Sequence, residues 1–403
     1  MHKIVIVGGG PAGMMAGVLL ARAGVAVTVL EKHADFLRDF RGDTAHPSTL
    51  ELFHQLGWLE ELLQLPHSRI DQIGLRIAGR ECRIADFRPL PVAAPYIAMI
   101  PQWDLLDFLA RQGSAMPGFA LRMSCEAAAP LFDGSNRVKG VRLASGEHLD
   151  ATLVIAADGR RSVMRDGAEL PLLDLGAPMD VFWFRLEKLP AAPEAETFGI
   201  MEAGRFLVLI DRQTYFQCAF VFGKGQADAV RRAGLGPFLS RLQAMVPELA
   251  TSVEAIASWE EIKLLEVSLD RLTRWHRPGL LAIGDAAHAM SPIGGVGINV
   301  AVQDAVAMVN VLAEPLQRGE PVDALLAKVQ RARWRAVTRM QGFQKFAQDR
   351  LIQPLLARTV PIDRPFLPIR LLDRFELLRR IPGRIVGMGF DPVKIESTAV
   401  LRE

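Results

Sequence analysis

LLAIGDAAHAMSPIGGVGINVAVQDA, Leu280 to Ala305, is the stretch from which the fold is read. Leu280 to Ile283 is a short apolar run, predicted as a buried strand that stops at Gly284 and Asp285. A loop rich in glycine and proline follows. From about Gly297 the pattern turns helical, with Val300, Val302, Ala305 and Val306 forming an apolar stripe. A carboxylate at a strand end, beside a helix start stripped of side chains, suits a ligand that offers hydroxyls to one group and negative charge to the other. The free N–H groups of Gly297, Ile298 and Asn299 carry the positive end of the helix dipole. A flavin meets both demands: its ribityl hydroxyls can donate to Asp285, and its N1–C2=O edge becomes anionic on reduction. The plainer alternative for this stretch alone is an ordinary strand–loop–helix crossover.

The N-terminus supplies a second, independent signal. Lys3 to Val7 reads as a buried parallel strand, Gly8-Gly9-Gly10-Pro11-Ala12-Gly13 satisfies G-x-G-x-x-G, and Met14 to Ala23 continues as a helix closed by Gly24. Val25 to Leu30 then forms a strand that ends at Glu31. Gly8 permits the tight turn, Gly10 lets a pyrophosphate approach the backbone, and Gly13 lets helix and strand pack closely. Glu31 sits where an acid accepts hydrogen bonds from an adenosine ribose, and its charge disfavours a 2′-phosphate. The site therefore suits FAD or NAD rather than NADP.

At 403 residues, half of them hydrophobic, the chain is long enough for two domains and has ample core. A net charge of +2 without a basic stripe argues against nucleic acid. Cys82, Cys125 and Cys218 are far apart and form no Cys-x-x-Cys pair, and no His-x-x-x-His spacing occurs. No metal site is expected, and the thiols read as reduced core residues of a cytoplasmic protein. Glycines interrupt the first apolar run, and no transmembrane segment is expected.

Between these two motifs the chain changes character. Arg41 lies in a loop near the expected phosphate site, and His46 precedes a helix that begins near Pro47, as a capping or packing residue or as a group facing the flavin. Residues 70–100 alternate as antiparallel strands, and Gln102 opens another helix within reach of cofactor phosphate or ribityl groups. Arg137 to Leu143 and His148 to Ala156 read as a hairpin-like pair, whose second strand delivers Asp158, within Asp158-Gly159-x-x-Ser162-x-x-Arg165, to the sheet's carboxyl edge; a local cap is the alternative role. Residues 180–222 alternate and are rich in aromatics, predicting an antiparallel sheet that roofs the flavin and offers a substrate pocket. Phe182, Phe184, Phe216 and Phe220 on these strands hint at a hydrophobic or polycyclic substrate, and Tyr215 is either a core tyrosine or a pocket residue. Pro315 is expected to end the helix after Asp304, with one long basic helix over 322–349. Residues 354–403 place Arg370, Arg374, Arg379, Arg380 and Arg384 around an apolar stripe, either as a packed terminal helix with a solvated face or as a weak membrane or homodimer contact.

GGGPAG with Glu31, then AADGRRSVMR, then GDAAHAMSPIGGVGIN, in this order and spacing, resemble the class A flavoprotein monooxygenases, the family of the para-hydroxybenzoate and ubiquinone-biosynthesis hydroxylases. The resemblance covers roughly residues 1–345 and implies an α/β fold. A discontinuous Rossmann-like FAD-binding domain (1–70, 100–178 and 266–345) would carry an inserted antiparallel β-sheet substrate domain (71–99 and 179–265), followed by a helical C-terminal region (346–403). It also implies that Gly8, Gly10, Ala12, Gly13, Glu31 and Lys32 hold the AMP half, and that Arg41 and Gln102 contact flavin phosphate or ribityl groups. Asp158 would belong to a motif shared between FAD and nicotinamide, and Asp285 would bind the ribityl chain. Pro292 would lie beside the reacting carbon, with Gly295, Gly297, Ile298 and Asn299 at the N1–C2=O edge. Val296 stands where many members carry glutamine or another polar residue, so no side-chain role falls to it. Arg212 and Tyr215 fall near substrate-side positions, with His46 and Pro292 as the catalytic candidates. The activity so implied uses NADH or NADPH and O2 to insert one oxygen atom into a small hydrophobic or aromatic molecule through a flavin hydroperoxide. A reductase or dehydrogenase on the same fold is the alternative, and a flavin-binding redox sensor acting through the basic C-terminus is a third reading. A halogenase is disfavoured because no Trp-x-Trp-x-Ile-Pro string occurs.

Overall fold

The computed structural model describes residues 3–37, 43–188 and 198–401. It begins with β1 (Ile4–Val7), α1 (Pro11–Arg22), β2 (Val27–Leu30) and α2 (Pro47–Gln55), followed by β3 (Gln72–Ile77) and β4 (Arg80–Asp86). Next come α3 (Gln102–Ser114), β5 (Phe119–Arg122), β6 (Leu153–Ala156) and the short α4 (Val163–Gly167). The middle of the chain contributes β7 (Met179–Glu187), β8 (Phe198–Glu202), β9 (Arg205–Asp211), β10 (Tyr215–Gly223), α5 (Leu235–Met245) and β11 (Lys263–Leu265). The last part holds β12 (His276–Arg277), β13 (Leu280–Ala282), α6 (Gly297–Gln317), α7 (Leu326–Ala347), α8 (Leu367–Arg374) and α9 (Glu376–Met388).

β1, β6 and β13 are buried at every position, as apolar runs covered on both faces must be. Among the described residues they join a six-stranded sheet in the order β12-β13-β6-β1-β2-β5, parallel except at the β12 edge. Ile4 lies opposite both Val27 and Leu153, so the ends of β1, β2 and β6 come level at one edge. The strand expected over 148–156 is divided: His148–Asp150 pairs in a hairpin, and only Leu153–Ala156 enters the parallel sheet. A second sheet has seven strands in the order β11-β7-β10-β9-β8-β3-β4, antiparallel except where β8 meets β3.

That second sheet corrects one sequence reading. Phe182, Phe184, Phe216 and Phe220 are at most 4 % exposed and pack with Phe238 of α5 and its neighbouring helices. They face away from the first sheet, so they say nothing about a substrate. The opposite face carries Trp183, Phe206 and Val208 in one cluster with Ile293 of the loop before α6. Alternation at a period of two separates the faces but does not say which one turns inward.

α6 packs against α1 on one side and α7 on the other. It belongs to the one helical stretch among the described residues long and apolar enough to cross a membrane, and 83 % of that window is buried inside the fold. The expected stop at Pro315 does not occur, because the helix runs on to Gln317. The proline falls in the last turn, where a missing N–H removes one bond and little helix follows. Asp304 of α6 is fully buried, and its carboxylate accepts from Gly284 N–H at 3.1 Å and from Arg333 Nε of α7 at 2.9 Å, with His288 Nε2 at 2.6 Å.

The C-terminal helices complete the packing. A Cβ on Gly383 would lie 2.1 Å from the Asp86 carbonyl oxygen, and one on Gly387 2.9 Å from Leu90, so α9 approaches β4 backbone to backbone. The packed-helix alternative for this region is therefore the one its inner face adopts.

Burial raises the Asp304 carboxyl, but the attraction of His288 and Arg333 outweighs it and holds the group below the usual carboxylate range. The stability it contributes is present above the unfolded value near 4 and is lost as pH falls through the lower folded one. Asp304→Asn leaves Arg333 buried without its anion and is expected to cost about 3–5 kcal/mol near neutral pH. Urea unfolding at about pH 7 and about pH 3 checks both statements, the variant's deficit shrinking toward the acid end.

Candidate functional site

The ends of β1, β6 and β13 form a single edge because their backbones touch there. Gly8 has φ +105°, and a Cβ on it would lie 2.3 Å from the Ala157 carbonyl oxygen. A Cβ on Gly13 would lie 1.9 Å from the Gly8 carbonyl, so α1 is pressed against the end of β1. Gly10 has nothing within 4 Å of such an atom and heads α1 without a side-chain cap. The orphan N–H groups of this helix thus face open space. Glu31 is buried and accepts from Gly9 N–H and His33 N–H, each at 3.0 Å. Lys32 beside it is exposed, and Ala12 is buried against the Gly284 turn.

Across this edge lies the second helix start. Asp285 follows β13 with its side chain 40 % exposed, and Arg160 Nε is 3.9 Å from its carboxylate. Gly297 begins α6 with nothing within 4 Å of an added Cβ and no side-chain cap on the helix. Gly294 and Gly295, at φ +79° and +64°, turn the chain into this position, which a side chain would strain. Pro292 is half-buried at the start of the turn. Ile298 and Asn299 are buried, and the Asn299 side chain points away from the open N-terminus. Its Oδ1 accepts from His46 N–H at 2.8 Å and Thr49 Oγ1 at 2.6 Å, and its Nδ2 donates to the Thr44 carbonyl at 3.2 Å. Only the backbone of Asn299 remains for a ligand.

His46 is fully buried just ahead of α2. Its Nδ1 lies 2.7 Å from the Val386 carbonyl of α9, and a carbonyl can only accept, so Nδ1 carries the proton. Nε2 is then a bare acceptor, without a partner among the described residues, behind Gly295. Burial lowers the imidazole pKa from 6.5 to about 4, so it is neutral near neutral pH.

The remaining candidates separate. Asp158 accepts from Ser162 Oγ and from Met164 N–H at 3.2 Å, so its carboxylate caps α4, and burial raises its pKa. Gln102 opens α3, half-buried, with its N–H on Asp43 at 3.2 Å. Arg212 forms a buried ion pair with Asp43, and its other nitrogens reach the Met99 carbonyl and Gln217, so each of its three nitrogens is engaged within the protein. Tyr215 lies on β10 with the Arg185 guanidinium 3.8 Å from its ring centroid. Arg41 lies outside the described residues.

Several organising residues escaped the sequence reading. Gln344 of α7 accepts from Ser291 N–H at 3.1 Å and donates to the Ser291 and Ile293 carbonyls at 2.8 and 2.9 Å, clamping both sides of Pro292. Arg333, Gln341, Gln344 and Gln348 are all buried along one helical stripe with Val337 and Met340. Polar residues recurring on an apolar stripe were the available signal. On the face of the sheet that shares a cluster with Ile293, Trp183 Nε1 is buried without a hydrogen-bond partner among the described residues.

The residues at this edge fit FAD: two helix N-termini without side-chain caps and with open space over Gly10 and Gly297, and carboxylates at Glu31 and Asp285 at two of the strand ends. Residues 1–344 match a family model described as an FAD binding domain. A 6-methylpretetramide 4-monooxygenase of Streptomyces rimosus is 34 % identical, over 85 % of this chain and 83 % of the relative. A rifampicin monooxygenase of Streptomyces venezuelae is 28 % identical over 76 % of this chain and 62 % of its own length. The crystal structure of pqsL, a probable FAD-dependent monooxygenase from Pseudomonas aeruginosa, superposes with a TM-score of 0.74 at 20 % identity, covering 88 % of this chain and 98 % of that one.

Because the folded His46 pKa lies below its unfolded value, its contribution to stability is complete above 6.5 and is lost as pH falls toward 4. The loss is on the order of 3 kcal/mol across that window. Chemical denaturation at stepped pH checks this, with His46→Gln flattening the slope between those limits.

Proposed function

We propose, from the premise that this chain belongs to the FAD-binding domain family, that it is a monooxygenase acting on a small hydrophobic, aromatic molecule in the cytoplasm. The observation that carries this reading is the pair of helix N-termini without side-chain caps, at Gly10 and Gly297, on two helices that meet at the Gly284 turn beside Asp285. Its similarity to monooxygenases over most of the chain supports oxygen transfer over a reductase lacking that step. The division into a discontinuous cofactor domain, an inserted sheet domain and a helical C-terminal region is part of this reading.

FAD, when bound, supplies the redox chemistry: two electrons from NADH or NADPH reach O2, one oxygen atom enters the substrate and the other leaves as water. The α1 N-terminus at Gly10 holds the pyrophosphate, and Glu31 accepts from the adenosine ribose. Asp285 accepts from the ribityl hydroxyls. Gly297, Ile298 and Asn299 present backbone N–H groups to the edge of the ring that gains negative charge, a fixed field that needs no rearrangement during turnover. Gln344 keeps the Pro292 turn in register with that edge. The cluster holding Trp183, Phe206, Val208 and Ile293 offers an apolar, aromatic-rich side toward the cofactor loop, which suits an aromatic ring. His46, neutral and sealed, supports the Gly295 turn and carries no charge into the reaction.

The test is NADH and NADPH oxidation by the FAD-loaded protein over a panel of phenols and polycyclic aromatics, with peroxide quantified in parallel. A compound that speeds oxidation while peroxide falls short of it, and that gains oxygen by mass spectrometry, is the expected result. Oxidation that proceeds equally without oxygen, given an electron acceptor, would overturn it. Asp285→Ala is expected to weaken FAD binding about 10- to 100-fold, measured by fluorescence titration.

A further inference from the structure

The outward side of α8 and α9 differs from the rest of the surface. Among the described residues, six of the fourteen exposed large hydrophobic side chains fall within residues 367–381. Leu367, Leu377 and Ile381 are each at least 60 % exposed, with Leu371, Phe375 and Leu378 beside them. These helices are not loosely attached. Ile369, Gly383, Val386 and Gly387 are buried, and α8 and α9 both lie on β4. The exposed leucines are therefore on a surface whose opposite side is already taken.

Charge is segregated across the same helices. Asp373 accepts from Arg83 N–H at 3.0 Å, and Glu376 pairs with Arg88 at 3.4 Å, so both acids turn toward β4 and the loop after it. On α8 and α9, Arg370, Arg374, Arg380 and Arg384 are exposed and have no ion-pair partner among the described residues. An apolar surface fringed by unpaired arginines, with the two acids of these helices bonded toward β4 and the loop after it, matches an anionic interface.

We propose that the outward face of α8 and α9 docks on an anionic lipid bilayer. A second copy of the chain fits less well, since a two-fold contact through this face would set four arginines against four. Docked in this way, α9 would lie between the bilayer and His46, whose imidazole its Val386 carbonyl holds beside the Gly295 turn. A hydrophobic compound dissolved in the membrane would then meet the protein on the side nearest its cofactor edge. The proposal rests on the surface alone and stands or falls independently of the reaction assigned above.

The experiment is co-sedimentation of the full-length, FAD-loaded protein with vesicles of phosphatidylcholine alone or mixed with phosphatidylglycerol, at low and high salt. Binding to the mixed vesicles only, weakened by salt, is expected. Each arginine at an anionic surface strengthens binding about fivefold, so the Arg370→Gln, Arg374→Gln, Arg384→Gln triple variant should bind on the order of a hundredfold more weakly. Leu377→Ser with Ile381→Ser should also release the protein, and unchanged FAD content and melting temperature show that both variants fold. No sedimentation at low salt, or equal binding by the triple variant, overturns the proposal. So does a wild-type dimer in light scattering that ignores vesicles and that the Leu377/Ile381 variant dissociates.

Discussion

Asp304 sets the relation on which the rest of the molecule depends. Its carboxylate, with no exposure to water, takes the Gly284 N–H at the end of one strand, His288 just beyond and Arg333 from the next helix. Three segments distant in sequence are fixed by one anion, and the low dielectric around it makes the loss of any partner costly. Because Gly284 precedes Asp285, this network also fixes where the exposed carboxylate of the site stands. The same helix that carries Asp304 opens, seven residues earlier, with the bare N–H groups at Gly297.

From that anchor the cofactor edge is assembled largely from backbone. Glycine at positions 8, 13 and 284 lets strand ends and helix starts touch, each where a Cβ would fall within 3 Å of a neighbouring atom. Side chains do their work one step behind: Asn299 ties the turn to residues 44–49, and Gln344 ties Pro292 to α7. A field made of peptide dipoles held by buried amides is rigid, as the proposed stabilisation of a charge that appears only during turnover requires.

The second sheet and the C-terminal helices close the site by different means. The sheet is joined to the cofactor side by the Arg212–Asp43 pair and by Ile293, which belongs to the cofactor loop yet packs into the cluster on that face of the sheet. The C-terminal helices are joined by close backbone approach at Gly383 and by the bond from His46 to the Val386 carbonyl. One side of these helices is thereby committed to the fold, while the other is left apolar and basic.

Local chain chemistry was legible from the residues alone. The glycine run at 8–13, Glu31 at a strand end, Asp285 before a glycine-rich turn and the start of α6 at Gly297 each depend on neighbours a few positions away, which is the range over which φ, ψ and helix capping act. The parallel sheet followed from apolar runs for the same reason. What sequence left open were choices between equivalent options across long separations. Period-two alternation allowed Phe182 and Phe184 to face either side, and the packing of α5 decided it. Arg212 had many potential partners until the fold brought it to Asp43, 169 residues away, and Asn299 could have faced a ligand until Thr44, His46 and Thr49 engaged its side chain. The sequence by itself determined where backbone N–H groups and carboxylates are offered. Tertiary structure alone decided which polar side chains are left for a ligand, because each buried one must find its partner among groups that only packing brings near.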